Sequence, residues 1–171
     1  MASELKNLSV TEGTVVPSAE GMKFGIIYSE WNNEITGALK NGAIETLLKN
    51  GAKKEDIFIE SVPGSFELTL GAKLLAEEFK PDAILALGCV IQGETRHFDF
   101  ICDAVAKGIT DLNIQLNIPV IFGILTPDNM QQAIDRAGGK HGNKGDEAAI
   151  TAIKMIELKR RIKKERKSIG F

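Results

Sequence analysis

The sequence predicts a three-layer α/β sandwich built on a mainly parallel four-stranded sheet, and three observations predict it. Four short apolar runs, KFGIIYS, DIFIESV, DAILALGCVI and PVIFGILT, are rich in Ile, Val, Leu or Phe and too short for core helices, so each reads as a strand. They lack polar alternation, as strands buried on both faces of a parallel sheet do. Longer segments with helical spacing lie between them, and this alternation calls for right-handed crossovers within one domain.

Taken in order, the first stretch, MASELKNLSVTEGTVVPSAEG, lacks the basic start and apolar run of a signal peptide. Residues 1–22 read as an extended arm with a short strand near Leu8 to Val16, and residues 23–171 as a single domain. After KFGIIYS, the residues Ile35, Leu39, Ala43, Leu47 and Leu48 recur at threes and fours until NGA stops the helix. DIFIESV leads into SFELTLGAKLLAEEF, and DAILALGCVI into FDFICDAVAKGITDLNIQL, which ends before Pro119. Beyond PVIFGILT, Thr126 is the expected cap of a helix with Pro127 at its first position. The break GGKHGNKG then precedes a last long helix starting near Asp146. Its end, ELKRRIKKERKSIGF, is basic and reads as a solvated terminus whose cations suit the helix dipole, in preference to a nucleic-acid patch.

Bulk properties narrow the function. With 171 residues, 43% hydrophobic and 26% charged, the chain suits one soluble globular domain. A net charge of −2 gives no electrostatic case for nucleic acid or an anionic membrane surface. No window reaches the ~20 apolar residues needed to span a bilayer. Two cysteines, Cys89 and Cys102, are too few for a disulfide framework, which points to a cytoplasmic location.

In open parallel sheets ligands sit outside the carboxyl ends of the strands. Those ends are YSEWNNE, VPGSFE, VIQGETRH and GILTPDN, four loops expected to converge on one edge. Trp31, the only tryptophan, could stack on a planar heterocycle or be a half-buried packing residue. Ser65, Phe66 and Glu67 open a helix whose first N–H groups could hold a polar ligand, or form an ordinary helix start. Thr95 and the helix start after it could bind phosphate. His97, read as a loop residue, is the natural proton shuttle or a structural histidine. Arg136 offers a two-pronged cation for phosphate, or is an exposed helix-end residue. Cys89 reads as small core filler.

No GxGxxG follows the first strand, and no GxxxxGK[ST], GxSxG, CxxC or HExxH occurs, so dinucleotide, P-loop, hydrolase-elbow and zinc readings lack support. The residues alone point to an enzyme acting on a phosphorylated small molecule with an aromatic partner.

The stretches WNNEI, VPGSFE, GCVIQGETRHFDFI and VIFGILTPDNMQQAIDRAGGKHGNKGDEAA, in this order and spacing, resemble the lumazine synthase family from about Phe24 to Leu158. The resemblance implies a flavodoxin-like sheet; the strand-like LSVTEGTVV of the arm, outside the resemblance, is read as an edge strand added to a neighbouring subunit's sheet. It implies condensation of 5-amino-6-(D-ribitylamino)uracil with 3,4-dihydroxy-2-butanone 4-phosphate to 6,7-dimethyl-8-ribityllumazine, phosphate and water, with no metal or cofactor. By position, Trp31 would stack on the pyrimidinedione. Ser65, Phe66 and Glu67, with Cys89, Val90 and Ile91, would line the uracil and ribityl pocket. Glu94 and Thr95 would form the phosphate turn, Arg136 would pair with the phosphate, His97 would transfer protons, and Phe122 would reach a neighbour's site.

Two residues depart from the family pattern. Glu94 stands where many members carry Ala, and Arg96, often Thr, is placed to neutralise it. The resemblance further implies pentamers, with a sixty-subunit shell expected because residues 136–145 carry no insertion, and riboflavin synthase as a partner. The alternative class is a non-catalytic flavin- or lumazine-binding or shell-forming protein on the same fold. A flavodoxin-like electron carrier is disfavoured, since the first loop lacks a Ser/Thr/Gly-rich phosphate cradle.

Overall fold

Each central strand sends alternate side chains to two different apolar layers, which is why its sequence shows no polar alternation. The computed structural model describes residues 15–168, with side chains described to Glu165. Strands β1 (Phe24–Ser29), β2 (Ile57–Val62), β3 (Ala83–Cys89) and β4 (Val120–Leu125) form a parallel sheet in the order β2-β1-β3-β4. Phe24 and Ile26 of β1, with Leu85 and Leu87 of β3, face helices α1 (Asn33–Lys49) and α5 (Lys144–Ser168). There they meet Ile35, Leu39, Ala43, Leu47, Ala149, Ala152 and Ile153. Ile27, Ile84 and Ala86 face the other way, onto α2 (Leu68–Phe79) and α3 (His97–Leu116), against Leu68, Ala72, Leu75, Val105, Ile109 and Leu112. Burying one such side chain contributes about 1.5–3 kcal/mol. Two filled layers therefore fix the sheet between its helices.

The edges differ from expectation. β2 was expected to be buried on both faces, but Ile59, Glu60 and Ser61 are exposed because β2 is the outer strand beside β1. Leu48, expected in the core, is likewise exposed at the end of α1. That helix does stop at NGA, where Gly51 takes φ 99°, a conformation glycine adopts without steric cost. β3 ends at Cys89 and not at Ile91, although the Val90 N–H still donates to the Leu125 carbonyl at 2.8 Å.

Helix α4 (Met130–Arg136) starts four residues after Thr126. Its cap is Asn129, whose side chain accepts the Gln132 N–H at 3.0 Å, while the Pro127 carbonyl accepts from the Gln92 N–H. A short Asx side chain in extended backbone reaches that third amide, so the cap is Asn129 and not the expected Thr126. The glycine-rich break is a small antiparallel ribbon, β5 (Ala137–Gly139) with β6 (Gly142–Asn143), so α5 begins at Lys144, two residues before Asp146.

At its far end the first two cations of the basic run are used by the body: Lys159 donates to the Asn117 carbonyl and Arg160 to that of Gly21. The strand expected near Leu8 lies outside the described residues, save for Val15 and Val16, which are not in a strand. No helix among the described residues is long and apolar enough to cross a membrane.

Candidate active site

Three of the four loops at the carboxyl ends of the strands meet around a cleft of about 800 Å³. The turn after β1 supplies Trp31 and Asn32, the turn after β2 supplies Gly64 to Glu67, and the end of β3 supplies Cys89, Val90 and Ile91. His97 and Ile101, four residues apart and so on one face of α3, complete the lining. The fourth loop only braces the floor, through the Leu125 and Pro127 carbonyls that hold Val90 and Gln92.

Trp31 is 72% exposed, so it does not pack into the core of its own chain. Its backbone is nonetheless fixed: the Trp31 N–H donates to the Pro63 carbonyl at 3.1 Å and the Glu30 N–H to that of Val62 at 2.8 Å. The indole therefore presents its face to solvent from a rigid base.

Opposite, Ser65 to Glu67 form a single 3₁₀ turn that leads into α2. Ser65 is buried and its hydroxyl has no hydrogen-bond partner among the described residues. A Cβ at residue 88 would stand 2.7 Å from that hydroxyl and 2.9 Å from Leu68, so only Gly88 leaves room for Ser65. Phe66 and Glu67 are exposed.

The third wall is apolar. Burial pushes the Cys89 thiol up to about 12, so it is a neutral thiol near pH 7 and no nucleophile. Cys89 is accordingly expected to stay unmodified when the folded protein meets iodoacetamide at pH 8 and to alkylate fully in denaturant. Mass spectrometry of tryptic peptides checks this; rapid native labelling would contradict the burial.

His97 is not in the loop: it is the first residue of α3, with an exposed side chain and its N–H donating to Thr95 Oγ1 at 3.4 Å. Glu94 and Thr95 form the exposed turn before it and do not line the cleft. Arg96 does not neutralise Glu94. It pairs with Asp99 at 3.5 Å and lies 5.9 Å from the Phe100 ring.

Two predicted residues lie elsewhere. Arg136, at the end of α4, donates from Nη1 to the Gln132 carbonyl at 3.0 Å and is not part of the cleft lining. Phe122, on edge strand β4, is 43% exposed and lines a separate groove of about 340 Å³ with Lys144, Glu147 and Thr151. The cleft of one chain thus holds an aromatic plate, a polar turn, an apolar wall and an imidazole, but no cation. Such a set can stack and orient a heterocycle and move protons beside it; it cannot hold a phosphate without a further group.

Sequence reasoning missed three lining residues, Asn32, Gly64 and Ile101. The spacing of Ile101 from His97 is a usable signal. Asn32 is the other, because asparagine is among the few non-glycine residues at ease in left-handed backbone. Among the described residues no group of three or more His, Cys, Asp or Glu could hold a metal ion.

A family model described as 6,7-dimethyl-8-ribityllumazine synthase matches residues 21–160. Proteins with that name are similar over nearly the whole chain. One from Cytophaga hutchinsonii is 60% identical over 156 residues, 91% of this chain and 98% of the relative. One from Phocaeicola vulgatus is 54% identical over 164 residues, 96% and 98% of the two chains. One from Parabacteroides distasonis is 56% identical over 158 residues, covering 92% and 99%.

Proposed function

Because the chain belongs to the 6,7-dimethyl-8-ribityllumazine synthase family, and so condenses 5-amino-6-(D-ribitylamino)uracil with 3,4-dihydroxy-2-butanone 4-phosphate as a transferase of riboflavin biosynthesis, we propose that the cleft between Trp31 and His97 is where it does so. The observation that carries this assignment is the exposed indole on a fixed backbone, facing the polar turn and the apolar wall with an imidazole at the rim.

The pyrimidinedione stacks on Trp31. The first amide groups of the Ser65–Glu67 turn and the backbone of Cys89 to Ile91 read its polar edge and the ribityl chain. The uracil's amine attacks the ketone and loses water to give an imine, phosphate leaves by elimination, and the ring closes with loss of a second water. Each step moves a proton, and His97 is the group placed to carry it. Positioning supplies the larger part of the acceleration, since holding two reactants together can be worth up to about 7–11 kcal/mol. The test is direct: purified protein with both substrates should generate the absorbance of the lumazine. Stoichiometric flavin retained through purification with no turnover would favour the carrier reading.

Glu94, Thr95, Arg136 and Phe122 enter as parts of a larger site. With no cation in the single-chain cleft, the phosphate is held by the Glu94–Thr95 turn, through its backbone, and by an Arg136 guanidinium. The exposed Phe122 ring closes the site of a neighbouring subunit. Exposed apolar side chains support such a neighbour: Phe66 on the 3₁₀ turn, Leu70 and Leu74 on α2, and Phe100 and Ile114 on α3. The family resemblance supports a pentamer, and the short connection over residues 136–145, with no insertion, favours closure of pentamers into a sixty-subunit shell. The N-terminal arm is assigned to an edge strand of the adjacent sheet. Light scattering or negative-stain microscopy should show hollow spheres. A decamer or lone pentamer would defeat the shell, and a fully active monomer would defeat the shared site. A cytoplasmic location and an association with riboflavin synthase, which consumes the product, complete the reading; co-purification from lysate tests the latter.

A further inference from the structure

Asn32 precedes helix α1, where an asparagine side chain ordinarily turns back to accept an N–H of the first helical turn. It does not do so here. The side chain makes no capping bond, and the residue sits in left-handed backbone at φ 57° and ψ 45°. The other left-handed non-glycine residues among those described, Lys80 and Asn117, end helices, where that conformation is common. At Asn32 it aims the amide across the sheet, and Nδ2 donates to the Cys89 carbonyl at 3.0 Å, 57 residues along the chain. The Asn32 carbonyl meanwhile accepts the N–H groups of Ile35 and Thr36, and the preceding Trp31 N–H is held by Pro63. Two adjacent residues thereby join all three walls of the cleft. A residue that forgoes its usual helix cap and spends its side chain on a bond across a binding cleft marks a functional constraint.

We propose that Asn32 is a positioning residue: its amide is a strut that sets the gap between the Trp31 indole and the Cys89–Ile91 wall, and so the fit of the heterocycle stacked there. This rests on the cleft being the ribitylaminouracil site, but concerns a bond the substrate does not make. The strut acts on one substrate only, because the butanone phosphate is held by other groups.

Two variants separate the strut from a role in starting the helix. Asn32→Asp keeps the shape but presents a carboxylate to the Cys89 carbonyl, so the bond is lost. Asn32→Gly takes left-handed backbone freely, so the fold is kept while the strut is removed. Both are expected to raise KM for the ribitylaminouracil about three- to tenfold, the size of one hydrogen bond. KM for the butanone phosphate should stay within about twofold. Trp31, the only tryptophan, reports its own surroundings: its emission in both variants should shift and become more open to acrylamide quenching. Unchanged emission with unchanged KM for the uracil would overturn the strut, as would a fall in thermal stability that raises both KM values equally. Wild-type Trp31 emission unmoved by saturating ribitylaminouracil would instead overturn the cleft assignment on which the strut rests.

Discussion

Replacing Arg136 by Ala is expected to weaken use of the butanone phosphate by about two decades, while affinity for the ribitylaminouracil changes little. The size follows from removing one partner of a hydrogen-bonded charge pair, which typically costs about 2–5 kcal/mol. A guanidinium offers two parallel N–H bonds to a phosphate, so Arg136→Lys should recover only part of the loss: it restores the charge without the fork. A purely structural role has a different signature. Arg136 sits in the last turn of α4 with Nη1 on the Gln132 carbonyl, where a cation also steadies the helix end by about 0.3–1 kcal/mol. Losing only that would lower the melting temperature slightly and weaken both substrates alike. Initial rates over a grid of the two concentrations separate the cases, and equal losses for both substrates would remove the phosphate role.

His97→Ala should lower kcat by about one to three decades, as expected for one acid–base group, with both KM values little changed. Stability should hold, because the side chain is exposed and alanine is favourable in the first turn of a helix. Activity should not vanish, since Trp31 and the two walls still hold the reactants together. A His97→Ala enzyme as fast as the wild type would remove the proton-transfer role.

The sheet was legible because each strand is a short apolar run and the segments between them keep helical spacing. The fate of β2 was only half marked: Glu60 and Ser61 in DIFIESV are polar and stand exposed, whereas the exposure of Ile59 comes from lying outside β1, a property of topology. The start of α4 was misplaced because Thr126, Asp128 and Asn129 are all capping residue types, and the choice depends on backbone angles at Asn129. Within the site, Trp31, Ser65, Phe66, Glu67, Cys89, Val90, Ile91 and His97 come together because sheet order brings the ends of β1, β2 and β3 side by side. Glu94, Thr95, Phe122 and Arg136 do not line that cleft, and one chain alone gives them no shared place. The role of Asn32 was only half legible: asparagine suits left-handed backbone, but its partner is the Cys89 carbonyl, and a backbone partner leaves no mark in the residue types.

The strand order has a kinetic consequence. β1 lies between β2 and β3, with Phe24 paired to Ile57 on one side and to Ala83 on the other. Neither pairing is local: joining β1 to β2 closes one crossover and joining β1 to β3 spans two, so the sheet forms more slowly than a fold built on local contacts. The three walls of the cleft sit at the ends of those same strands. A partly folded chain with only β1 and β2 joined has the Trp31 plate and the Ser65 turn but not the Cys89–Ile91 wall, and one with only β1 and β3 joined lacks the Ser65 turn. All three walls are therefore present together only once β1, β2 and β3 are paired, which ties the cleft to the completed sheet.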